Sequence, residues 1–71
     1  MYSVARCEAV LRRWGFTRVP GSQTEMHYLY QGRDKELLSV RKFDDLSEDQ
    51  RIAVLRDLAH QLGEPWTPIT D

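Results

Sequence analysis

Residues 25–43, Glu-Met-His-Tyr-Leu-Tyr-Gln-Gly-Arg-Asp-Lys-Glu-Leu-Leu-Ser-Val-Arg-Lys-Phe, decide the fold. Strand formers crowd both ends of this stretch: Met26, Tyr28, Leu29 and Tyr30 on one side, Leu37, Leu38, Val40 and Phe43 on the other. Between them Gly32-Arg33-Asp34 supplies turn chemistry. The stretch therefore predicts a hairpin with strands over Glu25 to Gln31 and Glu36 to Phe43. Successive side chains of a strand alternate between its faces, so Met26, Tyr28 and Tyr30 share one face and His27 and Leu29 the other. The aromatic bulk assigns the first set to the core.

Working outward, Asp45-Leu46-Ser47-Glu48-Asp49-Gln50 opens a helix: Ser47 and Gln50 have capping-box spacing, and Glu48 and Asp49 complement the positive end of the helix dipole. Ile52, Leu55, Ala59 and Leu62 then repeat at three and four, with Val54 and Leu58 alongside, until Gly63 and Pro65 stop the pattern. Upstream, Val4, Cys7, Leu11 and Trp14, widened by Val10, form the apolar stripe of a first helix. Ser3 is placed to cap its start, and Gly15 to end it with Phe16 folding back on Leu11. Phe16 to Val19 reads as a short edge strand stopped by Pro20 and Gly21. The order predicts an α+β domain: helix, three-stranded antiparallel sheet, helix, with both helices on one sheet face and the other face open to solvent or a ligand. There is no internal repeat or Gly/Ser linker, so residues 1–63 read as a single domain followed by a tail, 64–71. The tail's large apolar side chains, Trp66 and Ile69, are placed to dock on the domain or on a partner.

Size and composition exclude much. With 71 residues, 41% hydrophobic and 30% charged, the chain is too short for a separate cofactor domain and too apolar for disorder. It lacks a signal-peptide-like or membrane-spanning apolar stretch, which leaves the cytoplasm as the expected location and no membrane as a partner. Cys7 is the only cysteine, so no internal disulfide or paired-cysteine zinc site is available, and the two histidines lack a third ligand at metal spacing. No cofactor is expected. The net charge of −1 hides an asymmetry: residues 1–43 hold eight Lys or Arg against four acids, and residues 44–71 hold two against seven. Phosphate chemistry would suit the first part and be opposed by the second.

Several residues carry two readings. Cys7 lies on the first helix's stripe and reads as core. Tyr28, Tyr30 and Phe43 read as core aromatics that would stack bases only if the exposed face displayed them. His60, in the last turns of its helix, is where the dipole favours a cation, and no further role is assigned to it. The acids Asp44, Asp45, Glu48 and Asp49 are helix-start chemistry or, with Trp66, a contact for a protein partner.

Element order and particular residues together resemble the HicA family of small toxin mRNA interferases, over roughly Glu8 to Gly63. Leu11-Arg12-Arg13-Trp14-Gly15-Phe16 is similar to the family's first helix with its Gly-hydrophobic end, and Gly21-Ser22 to the Gly-Ser that precedes its histidine. Gln23 stands directly after that pair. The family's His-x-x-aromatic strand start is matched instead by His27-Tyr28-Leu29-Tyr30, with about two residues inserted in the preceding loop. Gly32-Arg33-Asp34, Leu37 to Val40, Asp45-Leu46-Ser47 and the apolar face of Ile52 to Leu62 follow in order. The resemblance implies a double-stranded-RNA-binding-domain-like fold and metal-free RNA cleavage. It implies that His27 moves a proton at a ribose 2′-hydroxyl or leaving oxygen, that Arg33, Arg41 or Lys42 faces the phosphate, and that an antitoxin is the partner. Two features depart from the family: Met26 replaces a small residue before the histidine, and four acids stand where lysines open the last helix. The alternative, from another class, is a non-catalytic protein-interaction module or small phage or bacterial regulator.

Overall fold

A computed structural model describes residues 2–66. The chain runs α1 (Val4–Arg13), β1 (Thr17–Arg18), β2 (His27–Gln31), β3 (Leu37–Arg41) and α2 (Glu48–Leu62). The strands form one antiparallel sheet in the order β1-β2-β3. This is the α+β arrangement expected from the sequence.

Local chemistry sets the helix ends. Ser3 accepts from the Arg6 amide, and at α2 the Ser47 and Gln50 side chains and backbone amides satisfy each other reciprocally. Gly15 (φ +93°) closes α1: its N–H donates to the Arg12 carbonyl and the Phe16 N–H to that of Leu11, the paired bonds of a Schellman motif. Gly63 (φ +70°) ends α2 in the same left-handed conformation. These bonds satisfy carbonyls that a helix end otherwise leaves orphaned.

Cys7 and Leu11 of α1, Leu55 and Leu58 of α2, and Tyr30 and Val40 of the sheet are buried in one cluster with Tyr2, Phe16 and Phe43. Tyr30, Leu38 and Val40 share a strand face, so both helices lie on that face and the opposite one is uncovered. Trp66 packs on this core with its ring centroid 6.0 Å from that of Tyr2, so the first part of the tail docks on the domain; Ile69 lies outside the described residues.

The strands are shorter than the sequence suggested. Met26 is 49% exposed rather than in the core: it sits in a bend before β2, beyond the reach of the helix-covered face. Of the set Met26, Tyr28 and Tyr30, only Tyr30 is fully buried, and Tyr28 is half-buried at the cluster's margin.

In the β2–β3 turn the Lys35 N–H donates to the Gly32 carbonyl and the Gly32 N–H to that of Glu36, a short turn that ends with Lys35 in the left-handed region, φ 64°. A side chain with a Cβ is strained there, so Lys35→Gly is expected to stabilise the domain by ~1 kcal/mol. A urea midpoint that stays put or falls would refute this.

Burial also shifts two titrations. Burial pushes the Cys7 thiol above its ordinary value of 9.0, against the opposing charge of Arg51. Burial likewise raises the Tyr30 phenol above 10.0, against the opposing charge of Arg18. Both groups keep their protons longer folded than unfolded. Their contribution is thus intact below the unfolded values and is lost as pH rises through the folded ones. Stability should fall from about pH 9 upward, in two overlapping steps, and Cys7→Val should remove the earlier step. Urea midpoints for both proteins between pH 7 and 11 measure this, and a flat profile would contradict it.

Candidate functional site

The uncovered sheet face is fixed by register. His27 pairs with Arg41, Leu29 with Ser39 and Gln31 with Leu37. The Lys42 N–H donates to the Met26 carbonyl and the Gly32 N–H to that of Glu36, so these flanking positions are hydrogen-bonded pairs. The alternation of an antiparallel ladder then makes His27–Arg41 a non-hydrogen-bonded pair, in which facing side chains come closest, with Cα atoms ~4.5 Å apart. His27's own backbone groups point the other way, where Thr24 takes up both: the Thr24 hydroxyl accepts from the His27 N–H at 3.0 Å, and the Thr24 N–H donates to the His27 carbonyl at 2.9 Å. The imidazole is half-buried and has no hydrogen-bond partner among the described residues.

Arg41 is held firmly. Its two terminal nitrogens meet both carboxylate oxygens of Asp45 at 2.9 and 3.0 Å, and one of them also reaches the Lys42 carbonyl at 2.9 Å. Hydrogen bonding to this guanidinium holds the Asp45 carboxyl below the ordinary range.

The three cations named with His27 do not converge. Arg41 stands beside it. Lys42 belongs to the opposite, helix-covered face, with Nζ 4.7 Å from the Tyr28 ring centroid. Arg33 lies past the far end of β2, where its side chain folds across Gly15; a Cβ there would meet Arg33 Nε at 2.7 Å. His27 and Gly32 alone are roughly 16 Å apart at the rise of a strand. The acids also divide. Asp45 holds Arg41, Glu48 Oε2 accepts from the Tyr2 N–H at 3.3 Å, and Asp44 and Asp49 are exposed without an ion-pair partner among the described residues.

Sequence reasoning missed Arg18. Its guanidinium lies 3.8 Å from the Tyr28 centroid, on the ring that Lys42 also covers, and it pairs with Glu8 at 3.1 Å. The available signal was parity: Arg18 stands two residues after Phe16 and so shares its core-facing side, and the register confirms this by pairing Arg18 with Tyr30. A cation over a tyrosine face is attracted by the ring quadrupole. Arg51 was missed as well, and it is structural: Nη1 donates to the Tyr2 carbonyl at 3.0 Å and Nε to that of Phe43 at 3.2 Å.

No group of three or more His, Cys, Asp or Glu is placed to hold a metal ion among the described residues, and no helix there is long and apolar enough to cross a membrane. No family model, curated protein or solved structure matches this chain.

Proposed function

We propose that the chain is a HicA-like RNA-contacting domain that cleaves RNA through His27, with Arg41 as the neighbouring phosphate ligand. The observation that carries this reading is the pairing of an unbonded imidazole with a guanidinium, directly opposite each other on the sheet face that the helices leave uncovered. The imidazole takes the proton of a ribose 2′-hydroxyl as that oxygen attacks phosphorus. The bond to the leaving oxygen breaks, and the imidazolium returns a proton to it. Arg41 stabilises the charge that develops on the phosphoryl oxygens, in competition with Asp45. An antitoxin protein that covers this face is the implied partner.

A second reading, a protein-interaction module without catalysis, is favoured by the exposed apolar side chain of Leu37 on the same face, 62% exposed, and by the carboxylate already engaged with Arg41.

The deciding experiment is inducible expression of wild-type protein and His27→Ala, with growth and total RNA followed and the purified variant checked for folding. Arrest with RNA cleavage by wild type alone supports the ribonuclease. Intact RNA and unaffected growth with wild type overturn it. In a binding assay on the same proteins, Asp45→Asn should tighten RNA binding and Arg41→Ala should weaken it, each most strongly at low salt.

A further inference from the structure

The outer edge of β3 is an open ladder. Because Gly32–Glu36 and Met26–Lys42 are the hydrogen-bonded positions against β2, the N–H and C=O groups of Leu37, Ser39 and Arg41 point away from the sheet. No hydrogen bond among the described residues takes them up. Leu37 and Ser39 are exposed, and β3 contains neither a proline nor a positive-φ residue that would blunt it as an edge. The sheet's other edge, β1, is only two residues long.

Glu36 and Lys42 flank this strand three positions on either side of Ser39, on the same face. In the single chain Glu36 lies across Gly32 and Lys42 over the Tyr28 ring, so pairing between copies requires both side chains to turn outward. An antiparallel copy of β3 centred on Ser39 therefore sets each Glu36 opposite the other copy's Lys42, while Leu37, Ser39 and Arg41 exchange backbone hydrogen bonds with Arg41, Ser39 and Leu37. Leu37 then faces the aliphatic stem of the opposite Arg41. Residues 36–42 carry both halves of the charge complement, which is what an isologous contact requires. We infer that β3 is a dimerisation edge that pairs two copies of this chain into one continuous six-stranded sheet, about a two-fold axis at Ser39. The inference is independent of the RNA reading. Dimerisation would also place the two His27–Arg41 pairs on one shared surface.

Sedimentation equilibrium of the full chain over micromolar to millimolar concentration tests it. Wild type is expected to dimerise. Glu36→Lys and Lys42→Glu should each weaken the dimer about tenfold or more, since both symmetric pairs become like-charged, and the double reversal should restore it. Ser39→Pro removes an outward N–H without touching the β2–β3 ladder and should give a monomer. Protection of the Cys7 thiol from labelling reports that each variant is folded, and if Ser39→Pro unfolds, the charge reversals carry the test. A strictly monomeric wild type overturns the inference. So does a dimer indifferent to the single reversals, or one that the double reversal fails to restore.

Discussion

Leu55→Ala is expected to lose about 2–5 kcal/mol of folding stability, the range for emptying a fully enclosed leucine site. The side chain is completely buried, on α2 and in contact with a cluster drawn from both helices and the sheet, so no surface segment can settle into the space. A domain of this length is expected to have only about 4–11 kcal/mol in total, at 0.05–0.15 per residue. No internal disulfide compensates: Cys7 is the lone cysteine, buried and free. Leu11→Ala should behave alike, because Leu11 is equally enclosed on α1. Leu37→Ala, on the uncovered face, should fall within ~0.5 kcal/mol of wild type. Urea unfolding followed by far-UV circular dichroism separates the three variants. A loss below 1 kcal/mol at both buried leucines would show that the cluster is not the stabilising core.

How far the fold was legible follows from the range of each signal. Helix ends are local events, and the residues that make them, Ser3, Gly15, Ser47, Gln50 and Gly63, are the ones that do so in the structure. The hairpin was legible for the same reason, since its turn lies between two runs of strand formers. Its register was not. Register depends on how many residues the turn consumes, and Lys35 enters it in a left-handed conformation that its residue type does not announce. One position of slip exchanges the faces of a strand. The sequence therefore offered Arg33, Arg41 and Lys42 equally as neighbours of His27, whereas the register gives that place to Arg41. Met26 was misassigned because parity says which face a residue would occupy, not whether the strand or its helical cover extends that far. Contacts between separate elements left the least trace: Arg18 with Glu8 and Arg51 with two carbonyls look like surface charges when read along the chain.

Arg51 makes the most of such a hidden contact. From the first turns of α2 its guanidinium reaches the carbonyl of Tyr2, before α1, and that of Phe43, after β3, so one side chain ties three segments together. Hydrogen bonds to a charged group contribute about 1.5–3 kcal/mol, and Arg51→Ala should cost within that range. Tyr2 is itself buried against the core and in ring contact with Trp66, so loosening its backbone should also free the tail. Arg51→Lys should recover less than half of the loss. An ammonium is a point donor, and it lacks the fork that sends Nε to one carbonyl and Nη1 to another. Arg51 also opposes the effect of burial on Cys7, so its removal should push the thiol still higher and steepen the loss of stability above pH 9. Urea midpoints at pH 7 and pH 10, with amide exchange over residues 2–7, read both effects. If Arg51→Lys matches wild type in stability and exchange, the two-carbonyl tie is not what holds the N-terminal segment, and the stem's packing must be credited instead.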